Sequence, residues 1–194
     1  MEVERPRLPA ALLDGWRETE TSVERPFDAR VVSVHAHTVV YDDAALTERL
    51  RETAGVDGRW RFFVAARLAL RPRTSPSRPL TRVVADRAHA GFADRLASRG
   101  LTDVRERGTE RRTVAGTEAR VARYEAVYDP GPVSVRTTAR VAVRPADDAY
   151  LLAGGAYPTA VRDGRDVETR GAVDAALAPE DFDEELAELV AAVE

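Results

Sequence analysis

Three kinds of residue in this chain could do chemistry: histidines in a strand, paired carboxylates, and a run of arginines. His35 and His37 stand two apart in a segment that alternates apolar and polar residues. On a strand that spacing points both imidazoles to one face, where they could share a metal ion. A working site needs a third ligand. The remaining histidine, His89, lies in a helical stretch beside Arg87, and no Asp or Glu is singled out by spacing. The simpler reading puts His35 and His37 on the less apolar face of a strand, with no metal and no cofactor. The pairs Asp42, Asp43 and Asp147, Asp148 fall where a helix starts and where a hairpin turns, so capping and turn roles account for them. Residues 163–166 (DGRD) resemble part of a calcium loop but lack the alternating oxygen ligands and closing Glu of an EF-hand. Neither a G-x-S-x-G elbow nor a G-x-G-x-x-G or Walker sequence occurs. With no Cys and no Lys, thiolate metal sites, disulfides, lysine Schiff bases and a P-loop lysine are excluded.

The arginines are distributed unevenly. All 29 basic residues are Arg, set against 33 acids, for a net charge of −4. Residues 1–50 carry −4, residues 51–144 carry +10 and residues 145–194 carry −10. Arg61 and Arg67 share one face of a strand, and Arg136, Arg140 and Arg144 share one face of another. These five are the candidate binding face. Two readings compete. The row could meet an acidic protein partner or phosphates, or the acidic C-terminal segment could fold back and neutralise it through planar guanidinium–carboxylate pairs. The second is favoured, and nucleic acid is disfavoured because aromatic stacking groups are few.

The elements that position these residues follow from periodicity. Strands are expected over residues 16–24 and 30–41, separated by a turn at Arg25, Pro26, Phe27 and Asp28. A short helix should begin at Asp43 and close at Gly55. Residues 59–71 return to period two, with Phe62, Val64, Ala66, Leu68 and Leu70 on one face. A helix of about 20 residues should follow Pro79 and end before Gly100, with Leu80, Val83, Val84, Ala88, Gly91, Phe92 and Leu96 as its apolar stripe. Strands are expected over 101–114, 117–128 and 133–144, the last with Val133, Val135, Thr137, Ala139, Val141 and Val143 on one face. A shorter strand covers 150–157, where Gly154 and Gly155 signal a bulge or a close backbone approach. Residues 159–178 read as a loop with a helical turn, and a last helix starts at Pro179.

This order predicts one α+β domain over residues 1–194: a mainly antiparallel sheet with one long central helix packed on it and short flanking helices. The N-terminal hairpin, the long helix before a run of antiparallel strands, and ADDAYLLAGGAYP followed by a terminal helix resemble the PsbP fold, shared by the photosystem II extrinsic subunit and DcrB-type proteins. That resemblance implies a non-enzymatic adaptor. WRFFVAARLALRP with FADRLASRGLTDV also resembles uncharacterised proteins of halophilic archaea, with which the loss of Lys, Ile and Asn agrees; a high-GC actinobacterium is the competing source. A START-like helix-grip fold is the structural rival, but it needs a long C-terminal helix.

Three functions therefore stand open. The first is a protein-interaction module using the arginine face. The second is a binding domain for a small apolar or anionic ligand held between sheet and long helix, its pocket lined by Phe62, Leu68 and Phe92. The third is a metal-dependent enzyme using His35 and His37. The charged, proline-bearing N-terminus and the lack of a long apolar run lead to the expectation of a cytoplasmic protein.

Overall fold

In a computed structural model that describes residues 3–28 and 33–194, the period-two segments pair into a seven-stranded sheet. The strands are β1 (Trp16–Asp28), β2 (Ser33–Asp43), β3 (Phe62–Arg71), β4 (Leu101–Val114), β5 (Thr117–Tyr128), β6 (Val133–Ala146) and β7 (Ala149–Gly164). Every neighbouring pair is antiparallel, in the order β1-β2-β3-β7-β6-β5-β4. The helices are α1 (Ala44–Ala54), α2 (Arg78–Ser98), α3 (Val167–Ala176) and α4 (Pro179–Ala192), and a short 3-10 turn covers Ala10–Leu13. The class is α+β, as expected.

The connections explain the layers. Helix α2 carries the chain from β3, near the middle of the sheet, to β4 at its far edge, and the β4–β7 meander returns to pair with β3. It therefore lies across one face, over β4, β5 and β6. Helices α1, α3 and α4 cover the other face, with α4 over β7 and β3 and α3 against α1 and β7. Two cores result. Phe63, Ala65, Leu151, Ala153, Leu186 and Leu189 fill the side of α1, α3 and α4. Phe62, Val64, Leu70, Phe92, Leu96 and Val141 fill the α2 side. Alternation in β3 and β7 supplies both, because adjacent residues point to opposite faces.

Local chemistry sets the helix ends. The Asp43 carboxylate accepts from the Leu46 N–H at 2.8 Å, and Gly55 closes α1 in the left-handed region at φ 63°. Gly155 lies beneath α4: a Cβ there would stand 2.3 Å from the Phe62 carbonyl oxygen and 2.9 Å from Leu186 Cδ1. At Gly154 a Cβ would stand 2.4 Å from the Arg140 carbonyl oxygen of β6, so the close approach at this glycine pair is backbone against backbone within the sheet, with Leu186 of α4 a further neighbour of Gly155.

Four expectations change. Arg25 to Asp28 continue β1 rather than turning; Pro26 sits inside a register shift on this edge strand, where its missing N–H disrupts little. Residues 30–32 of the second expected strand lie outside the described residues. Strand β7 runs on to Gly164, and the segment expected to be a loop contains α3, capped by the Asp166 carboxylate on the Thr169 N–H at 2.7 Å. The β6 row does not stay together. Val133 and Val135 join the α1, α3 and α4 side, whereas Ala139, Val141 and Val143 lie on the α2 side. Two register shifts between β6 and β7 twist the strands at this point.

Candidate functional site

The five arginines of the expected binding face have different fates. Arg61 is 4% exposed. Its guanidinium donates to Asp43 at 2.8 Å and to Glu185 of α4 at 2.7 Å, between the rings of Trp16 (5.0 Å) and Phe182 (4.1 Å). Arg140 pairs with the Asp183 carboxylate at 3.2 Å and also donates to the Asp183 carbonyl. Tyr157 donates to that carboxylate at 2.6 Å; burial and the neighbouring charge push its hydroxyl far above the usual value. Arg144 donates to the Val193 carbonyl, and burial lowers its pKa. Arg67 stands 3.8 Å from Asp148, and Arg136 is exposed. The acidic C-terminal helix thus folds onto the basic sheet and engages Arg61, Arg140 and Arg144. These side chains secure α4 and are not available as a row.

The opposite face is different. Helix α2 packs on the β4–β6 half of the sheet, and its apolar face is wider than that contact. Val84, Ala85, His89, Phe92 and Leu96 are buried, while Leu80 is half-buried and Val83 is exposed. The surplus faces β2 and β3 across a cavity of about 590 Å³, within the size range of small-molecule sites. Its floor is made by cross-strand pairs on one sheet face: Val34 opposite Leu70, Ala36 opposite Leu68, and Thr38 opposite Ala66. The alanines create the depth. Its wall is Leu80, Val84, Ala88, Gly91 and Phe92 of α2, with Leu152 of β7 behind.

The ends of the cavity are unlike. Near Val40, Arg95 of α2 reaches across β2 and donates to both Glu20 oxygens of β1 at 3.1 Å. Beyond the cavity lining, Arg99 pairs with Asp42, its guanidinium 4.5 Å over the Phe62 ring. Desolvation lowers the Arg99 pKa, opposed by Asp42. Exposed Val83 marks the other end. Glu24, Arg87, Asp94 and Arg95 form the charged rim.

Of the three residues expected to line a pocket, Leu68 and Phe92 do so. Phe62 does not; it is buried outside the cavity, beneath Arg99 and 6.3 Å from the Phe92 ring. Sequence reasoning missed Ala36, Ala66, Gly91, Glu24 and Asp94. The available signal was small residues in otherwise bulky rows.

The two strand histidines have different hydrogen-bond neighbours. His37 Nδ1 is 3.1 Å from the Val3 carbonyl, and its Nε2 is 3.5 Å from the Thr21 hydroxyl. His35 Nε2 is 3.3 Å from the Ser33 hydroxyl. Among the described residues no group of three His, Cys, Asp or Glu could hold a metal ion. His89 is a buried residue of α2, its Nε2 3.4 Å from the Arg120 carbonyl, and desolvation lowers its pKa. Tyr124 donates to the His89 carbonyl at 3.0 Å; burial pushes that phenol up to about 12. Among the described residues, no helix is long and apolar enough to cross a membrane.

A family model described as a domain of unknown function (DUF6517) matches residues 5–194. No curated protein matches the chain, and no solved structure matches it.

Proposed function

The chain belongs to the DUF6517 family, and for this member we propose that it is a small-molecule-binding domain holding an apolar ligand between α2 and the β2–β3 half of the sheet. The observation that carries this reading is the cavity of about 590 Å³, with an apolar floor and wall and charges confined to its rim. The adaptor reading had its support in the arginine row, and three of those five arginines serve α4. The finer fold assignment is also a proposal: a PsbP-like sandwich, supported by the element order of hairpin, long helix, four-strand meander and terminal helix.

Titration with 1-N-phenylnaphthylamine, a neutral dye that brightens in apolar sites, tests the function. The wild-type chain should give saturable enhancement at one dye per chain. Ala66→Phe fills the floor and should abolish it. Gly91→Phe is a second filling variant, because a Cβ at Gly91 meets nothing within 4 Å. Unsaturable enhancement, or enhancement unchanged in both folded variants, would overturn the proposal.

A further inference from the structure

The charges on the cavity rim are not matched among themselves. Arg95 is taken up by both oxygens of Glu20, and Arg87 has an interaction of its own. Glu24 on β1 and Asp94 on α2 both line the cavity, and among the described residues neither has a hydrogen-bond or ion-pair partner. With Glu20 counted, the mouth of this apolar cavity carries three carboxylates against two guanidiniums, and Glu24 and Asp94 are solvent-exposed without a protein partner among the described residues. A ligand with an apolar body and an anionic head would bring like charge to that mouth, and a cationic head would find opposite charge.

We propose that the ligand is a cationic amphiphile, its apolar chain lying over Ala36 and Ala66 and its ammonium group at the rim facing Glu24 and Asp94. This rests on the cavity being a ligand site. The neutral Thr38 hydroxyl in the floor adds no charge preference, and the Arg95–Glu20 pair closes the end away from exposed Val83. Both carboxylates are exposed, so the effect is a preference set by long-range attraction and weakened by salt.

Calorimetric titrations with n-decylammonium, n-decanoate and n-decanol separate the head group from the chain. In ~0.1 M salt, decylammonium should bind about tenfold tighter than decanoate, the order expected when one exposed unit-charge contact reverses sign. Decanol should fall between them. Glu24→Gln with Asp94→Asn should abolish or reverse the preference for the ammonium and leave decanol unchanged, and added salt should shrink it in the wild type. If decanol binds and decanoate equals or exceeds decylammonium, the head-group inference fails and the cavity reading stands. If the double variant keeps the preference, these carboxylates are not its source and the inference fails. If none of the three binds, both readings fail together.

Discussion

Arg61→Met should cost far more stability than an ordinary surface arginine, although the sequence gives Arg61 the same appearance as Arg67. The substitution keeps much of the aliphatic volume between Trp16 and Phe182 but removes the charge. Asp43, itself 6% exposed, then loses its 2.8 Å partner while remaining buried. Stranding one member of a buried pair costs about 3–5 kcal/mol. The Glu185 arm adds little to this, because that carboxylate is part-exposed and can recover hydration. For a chain of this size each kcal/mol moves the thermal midpoint by roughly 2–4 °C, so a fall of roughly 6–20 °C is expected. Urea melts followed by circular dichroism measure the loss without relying on Trp16, whose own contact changes. Adding Asp43→Asn should recover part of it, because Asn still caps α1 and leaves no stranded charge. A loss below about 1 kcal/mol would refute the reasoning, since that is the range of an exposed pair.

The other expectations concern packing and pH. Gly155→Ala should destabilise by about 1–3 kcal/mol, because its Cβ would press on the Phe62 carbonyl and on Leu186; a chemical melt within error of wild type would contradict the close packing of α4. His89 is desolvated, so its folded-state pKa lies below the unfolded value of 6.5. The unfolded chain then binds the proton first, and stability should fall as pH drops below about 6.5 towards the depressed folded value. Asp86, Glu106 and Arg120 face the same imidazole, and the two acids oppose the shift. His89→Gln should flatten that part of the stability–pH curve, and an unchanged slope would assign it to other groups.

The sequence carried the elements more fully than the site. The even rows of β2 and β3, the Asp43 cap and the Gly55 stop were legible because each is a local signal. Helix α3 was not, since Gly171 interrupts it and among its apolar positions only Val173 is buried. The divided β6 row depends on bulges in β7, which alternation within β6 cannot reveal. Arg61 shows the limit for sites. Its partner Glu185 lies 124 residues away, so nothing local separates a clamped guanidinium from a solvated one. The cavity was half legible. Leu68 and Phe92 were named from their faces, but the depth comes from Ala36 and Ala66, and the position from how far α2 is offset towards β4.

The central claim is that an apolar ligand occupies the space between α2 and the β2–β3 half of the sheet. Methyl-resolved NMR during titration with n-decanol tests it most directly. Saturable shifts at one ligand per chain should appear at Val34, Leu68, Leu70, Leu80, Val84 and Leu152, with Val190 of α4 on the other face unmoved. Shifts that never saturate, or that centre on the α4 side, would contradict it.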